Sequence, residues 1–204
     1  MKRFLIVSLA VLIAAAVLPQ SAAAGVGVKA GYSWANLKFG GITEILPLTE
    51  VKNFVGGVYF SMGLGLFSIQ PEILYTRQGT RLEALPNWME DRLDYIQVPV
   101  LLKIHVLPGP ISPTIYAGPY GAYLLSAKGV QFVDGVTEST DIGDQIKSTD
   151  YGVVFGGGID FRLPVIKLSA EVRYNLGLAN VAQNAAAGES VKTKSLMVLV
   201  GIGF

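Results

Sequence analysis

The sequence predicts an all-β fold: an eight-stranded antiparallel up-and-down transmembrane β-barrel, preceded by a cleavable signal peptide. Three observations carry this. Apolar and small or polar residues alternate with period two in eight separate segments, which is the strand signature. After the first two dozen residues no apolar run reaches the roughly 18 residues of a spanning helix, although 51% of the chain is hydrophobic. The connections between segments alternate long with mostly short, the rhythm of a barrel crossing a bilayer. Closure into a barrel lets every backbone group be paired where no water is available.

The N-terminus reads as an export signal. Lys2 and Arg3 precede an apolar run from Phe4 to Leu18, followed by Pro19 and small residues ending Ala22-Ala23-Ala24. A charged start, a short apolar core and an A-x-A site predict cleavage after Ala24. The expected division is therefore 1–24 signal peptide and 25–204 barrel domain. Removing residues 1–24 takes away Lys2 and Arg3, leaving 14 basic against 15 acidic residues and a formal charge of −1. That balance gives no footprint for nucleic acid. With no cysteine, disulfides and thiolate metal sites are excluded.

Each strand follows from its own alternation. The first, about Val26 to Leu37, sets Val26, Val28, Ala30, Tyr32 and Trp34 against Gly27, Lys29, Gly31, Ser33 and Ala35. A segment with Gly40, Gly41 and Pro47 leads to the second, Phe54 to Leu64. A turn around Gly65 introduces the third, Phe67 to Gln78, with Phe67, Ile69, Ile73 and Tyr75 opposite Ser68, Gln70 and Glu72. After a loop with Pro86, Asn87 and Trp88 comes the fourth, Asp94 to Ile104. Pro108, Pro110 and Pro113 mark the turn to the fifth, Thr114 to Leu125, where Gly118-Pro119 predicts a bulge and the phase is open. A polar, acidic loop is expected over Ser126 to Thr149.

The sixth strand, Asp150 to Phe161, sets Tyr151, Val153, Phe155, Ile159 and Phe161 against Gly152, Val154, Gly156, Gly158 and Asp160. The seventh alternates most cleanly: Ile166, Leu168, Ala170, Val172, Tyr174 and Leu176 against Lys167, Ser169, Glu171, Arg173 and Asn175. A loop rich in Ala, Asn and Gly precedes the eighth, Ser195 to Phe204, with Leu196, Val198, Val200, Ile202 and Phe204 on one face.

Alternation alone does not say which face is inside, and a soluble barrel would hide the apolar one. Aromatic positions favour lipid. With short turns and both termini in the periplasm, outward Tyr32, Trp34, Phe54, Tyr75, Tyr151 and Tyr174 fall near the outer rim. Phe67, Phe161 and Phe204 fall near the periplasmic rim. Such girdles flank the apolar band of membrane barrels. The expected localisation is the cell outer membrane.

Several stretches carry a family resemblance. Gly27-Val-Lys-Ala-Gly-Tyr-Ser-Trp-Ala-Asn-Leu37, Ile69-Gln-Pro-Glu-Ile-Leu-Tyr75, Tyr95-Ile-Gln-Val-Pro-Val-Leu-Leu-Lys103 and Ala117-Gly-Pro119 resemble the PorT-like outer-membrane β-barrel family. So do Asp150-Tyr-Gly-Val-Val-Phe-Gly-Gly-Gly158 and Glu171-Val-Arg-Tyr-Asn-Leu-Gly177. The resemblance implies an eight-stranded barrel. The family's namesake is linked to protein secretion across the outer membrane, a role not transferred to this chain. The last strand also resembles the C-terminal assembly signal of bacterial outer-membrane barrels, carried here by Leu196, Val198, Val200, Ile202 and Phe204.

Chemistry-bearing constellations are few. His105 is the one histidine; it is read as a polar residue beside the Pro-rich turn, with no Ser/His/acid trio at the outer rim. Asp134, Glu138, Asp141 and Asp144 lack calcium-loop spacing. No cofactor is expected. More informative are seven inward charges: Lys29, Glu72, Lys103, Asp160, Lys167, Glu171 and Arg173. In so narrow an interior they must pair, with Glu72, Glu171 and Arg173 expected to form one network. They can plug the barrel or line a path for small polar solutes. The expected role is a non-enzymatic, structural or surface-interaction protein of the envelope. Expected partners are outer-membrane lipid, the barrel-assembly machinery and an envelope or extracellular protein at the outer loops. A narrow channel or carrier, and accessory service in secretion, are the alternatives.

Overall fold

A computed structural model describes residues 24–39, 48–84, 87–107, 109–133, 136–179 and 191–204. The expected signal peptide lies outside these residues apart from Ala24, as do Gly40, Gly41, Pro47, Pro86, Pro108 and Asp134. Nine strands run in chain order: β1 (Ala24–Phe39), β2 (Leu48–Leu64), β3 (Phe67–Ala84), β4 (Asn87–His105), β5 (Ile111–Val133), β6 (Val136–Asp141), β7 (Thr149–Arg162), β8 (Lys167–Gly177) and β9 (Val191–Gly203).

All except β6 form a closed antiparallel barrel of eight strands. Each pairs with its predecessor, β5 passes directly to β7, and β9 returns to β1. β6 pairs only with the far end of β5, from Lys128 opposite Asp141 to Val133 opposite Val136. Short connections gather at one end: Gly65-Leu66, residues 106–110, and residues 163–166. Gly65 takes φ 69° in the tightest of these turns, a left-handed conformation that suits glycine.

The apolar face points outward. Val28 and Val172 are 52% and 51% exposed, while Lys29 and Glu171 between their neighbours are 3% and 2% exposed. In water this would be inside out; against lipid it is the stable arrangement. No described helix is long and apolar enough to span a membrane.

The long-hairpin end departs from expectation. The stretch expected as a loop over Ser126 to Thr149 instead continues β5 to Val133 and adds β6 and a short 3-10 helix, Gly143–Gln145. β3 likewise runs past Gln78 to Ala84, where it meets a β4 that begins at Asn87. A span needs only about 9–11 residues per strand, so these 18- to 23-residue strands project well beyond the apolar band. Outside the bilayer the hydrophobic alternation is no longer required, and the strand signal fades although the ladder persists. The expected bulge at Gly118-Pro119 is absent: β5 keeps one register with β7 from Ile111 to Tyr123. The irregularity lies higher, where the β4–β5 register shifts between Asp94 and Tyr95. The phase of β5 is now fixed, with Ser112, Thr114, Tyr116, Tyr120 and Ala122 inward.

Candidate functional site: the charged lumen

Inward parity sends Lys29 from β1, Glu72 from β3, Lys103 from β4, and Glu171 and Arg173 from β8 to one level of the lumen. None is more than 3% exposed. Arg173 reaches Glu72 through Nη1 at 2.7 Å and Nη2 at 3.1 Å, and Glu171 through Nη2 at 2.9 Å. Lys29 Nζ donates to Glu72 Oε1 and Glu171 Oε1, each at 2.8 Å. Lys103 Nζ donates to Glu171 Oε1 at 2.8 Å. Gln70 adds an amide donor to Glu72 at 2.6 Å.

Three cations thus surround two carboxylates, with tyrosine rings beside them. Lys29 lies over Tyr59 at 4.9 Å and Lys103 over Tyr116 at 5.2 Å. Glycines make the room. A Cβ at Gly156, opposite Arg173, would sit 2.8 Å from the Tyr116 hydroxyl. One at Gly201, opposite Lys29, would sit 3.1 Å from Lys29 Cγ.

Toward the long-hairpin end the lumen is packed. Val55, Leu74, Met197 and Leu199 form one buried cluster. A second, including Leu93, Tyr95, Tyr120 and Ala127, is covered by Ile142 and Ile146 beside the 3-10 helix. Sequence reasoning missed a carboxylate here: Asp150 is buried and accepts from Thr193 at 2.8 Å and Tyr120 at 3.2 Å. Its parity with Asp160 on β7 was the available signal.

Toward the short-turn end, Asp160 and Lys167 stand apart from the five-residue layer. Asp160 is 0% exposed, with Lys167 Nζ at 3.9 Å and His105 Nδ1 at 4.0 Å. The structure corrects the reading of His105 as a turn residue. β4 extends through it, and parity with Lys103 turns the ring into the lumen. There Nε2 lies 3.2 Å from Ser68 Oγ and Nδ1 lies 3.3 Å from Ser112 Oγ.

A Ser/His/acid trio is therefore assembled, at the opposite end from the one considered in the sequence. Arg162 Nη2 points at His105 Nδ1 from 3.1 Å. A guanidinium only donates, so Nδ1 is the acceptor and the proton sits on Nε2. Nε2 then donates to Ser68, while the Ser112 hydroxyl donates to Nδ1 beside Arg162.

The aromatic residues chosen from the sequence face outward. Tyr32 pairs with Phe54 across β1 and β2, and Tyr174 packs on Phe155 with ring centroids 5.2 Å apart. Tyr75 accepts from Arg77 Nη2 at 3.2 Å. Phe67, Tyr151 and Phe161 are exposed, and Trp34 is half-buried. Leu196, Val198, Val200 and Phe204 on the last strand are exposed and Ile202 is half-buried. The Phe204 main chain pairs with Val26 at 2.8 and 3.2 Å.

The fold is similar to that of Neisserial surface protein A (NspA), at a TM-score of 0.50 and 16% identity over 91% of this chain and 100% of that one. It also aligns with Ail, the attachment invasion locus protein of Yersinia pestis, at 0.45 and 15% identity over 88% and 98%. No curated protein matches the sequence. The family model described as outer membrane protein beta-barrel domain matches residues 19–183. Fold, outward apolar face and family match agree: the chain belongs to the outer membrane protein beta-barrel domain family and is a protein of the outer membrane.

Proposed function

We propose that this protein is a non-enzymatic, structural or surface-interaction barrel whose lumen is plugged. The observation that carries the reading is the layer of Lys29, Glu72, Lys103, Glu171 and Arg173, at most 3% exposed, which fills the interior with paired charge. An eight-stranded barrel is just wide enough for side chains to fill. In the proposed orientation both termini and the short turns are periplasmic. The β3–β4 and β5–β6 hairpins then stand outside the cell as the surface for an envelope or extracellular protein. Lipid contacts the outward face, and the assembly machinery recognises the last strand. The narrower kinship with PorT-like barrels rests on the strand motifs quoted above, and no secretion role is attached to it.

Planar bilayers carrying the refolded protein test this directly. A plugged barrel gives no defined conductance steps. Reproducible steps that change size in Arg173→Met would replace the plug with a narrow channel.

A further inference from the structure

Beneath the ion-pair layer, the short-turn end of the lumen holds a cavity of about 470 Å³. It is blind, because the paired layer closes its inner end. Its wall includes Tyr59, Ser68, His105, Arg162 and Lys167. Two features are unexplained by the plug. The Tyr59 hydroxyl, on a residue only 4% exposed, has no hydrogen-bond partner among the described residues. Arg162 has no carboxylate within ion-pair reach among them; its one side-chain hydrogen bond there is to the His105 ring.

Charge points to the occupant. The layer above carries one positive charge in excess, from three cations and two carboxylates. Arg162 and Lys167 add two more. Asp160 removes one, and the Phe204 main-chain carboxylate at the rim removes another. The remaining excess is positive, in a recess open only at the short-turn end, whose low-dielectric walls focus the field on an anion. A metal cation at the unpartnered Asp160 oxygens would meet Lys167 and the Arg162 side of the cavity and be repelled.

We propose that this pocket binds a small oxyanion, a carboxylate or phosphate group, held by the Arg162 guanidinium and the Lys167 ammonium, with the Tyr59 hydroxyl as third donor. A guanidinium fork and an ammonium are suited to such groups. The oxyanion can arrive as a free solute or as a phospholipid headgroup at the bilayer edge; the chemistry of capture is shared.

The test uses the full mature chain refolded in nonionic detergent, with backbone amide NMR signals followed during titration. Inorganic phosphate and acetate are added at constant ionic strength. Saturable shifts are expected at Tyr59, Ser61, Lys167 and Gly203, with the long hairpins silent. Arg162→Gln, at an exposed position that tolerates the change, should weaken binding roughly tenfold, the scale of one charge-assisted hydrogen bond. Lys167→Gln should weaken it similarly. Nanodiscs of phosphatidylglycerol against phosphatidylcholine separate the sources. Arg162-dependent shifts with phosphatidylglycerol alone would assign the headgroup and still support the site. Shifts that never saturate, or that persist unchanged in Arg162→Gln with both sources, would overturn it and leave a cavity of water.

Discussion

Arg173 on β8 and Glu72 on β3 meet across the full width of the barrel, Nη1 to Oε2 at 2.7 Å and Nη2 to Oε1 at 3.1 Å. The two strands lie four positions apart in a ring of eight. A two-pronged pair at that separation joins opposite walls through the lumen. Arg173 also bonds Glu171 on its own strand, so its loss removes three hydrogen bonds from two buried carboxylates and leaves them to Lys29 and Lys103.

Removing one partner of a buried ion pair typically costs about 3–5 kcal/mol. Arg173→Met should therefore destabilise the barrel by about that much in denaturant unfolding from lipid vesicles. Lys167→Met should cost clearly less, since Lys167 is 24% exposed and meets Asp160 only at 3.9 Å. Equal losses for the two variants would mean that the layer does not hold the walls together.

The faces of β8 can be separated by one residue type. Val172→Arg places a charge against lipid, at a cost of about 2–4 kcal/mol at the midplane. Ser169→Arg enters the lumen, where Ser169 is 5% exposed, and the penalty there is crowding. The first variant should respond to bilayer composition and the second should not. A harmless Val172→Arg in the same unfolding assay would show the outward assignment of β8 to be wrong.

Where β3 and β4 leave the apolar band, Arg77 Nε donates to Asp94 at 2.6 Å and Nη2 donates at 3.2 Å. Burial alone would raise the Asp94 carboxyl. Hydrogen bonds from Arg77 and Tyr75, with the positive charges of Arg77 and Lys128, outweigh it and hold Asp94 below its ordinary value. A carboxylate depressed in the folded state contributes stability above its unfolded pKa, about 3.9, and loses it as pH falls through the lower folded value. Amide protection in the β3–β4 hairpin, taken relative to intrinsic exchange, should thus fall below about pH 4, and Asp94→Asn should remove that dependence. Partial exposure of the pair keeps the effect small. The same acid response in Asp94→Asn would assign it to other carboxylates.

Phe204 pairs its main chain with Val26 and is 69% exposed. Phe204→Ala should slow assembly with little change in the stability of barrel already formed, because the ring acts in recognition of the closing strand. Pulse-chase of the heat-modifiable folded form measures this. Wild-type assembly kinetics in Phe204→Ala would remove the terminal ring from the assembly signal.

The sequence alone determined the eight barrel strands and the parity of all of them except β5, because alternation with period two is a local property. Val172 and Arg173 are sorted to opposite faces by being neighbours, whatever surrounds them. Local pattern could not say which inward residues meet. Lys29, Glu72 and Lys103 come level with Glu171 only through the tilt and stagger of eight closed strands, a quantity set by the whole ring. Nor could it place His105 beside Ser68, Ser112 and Arg162, since these come from four strands whose ends align only at closure. The long hairpins were lost for a different reason. Beyond the bilayer, β5 and β6 are held mainly by their ladder, and water permits many patterns of side chains along its exposed face.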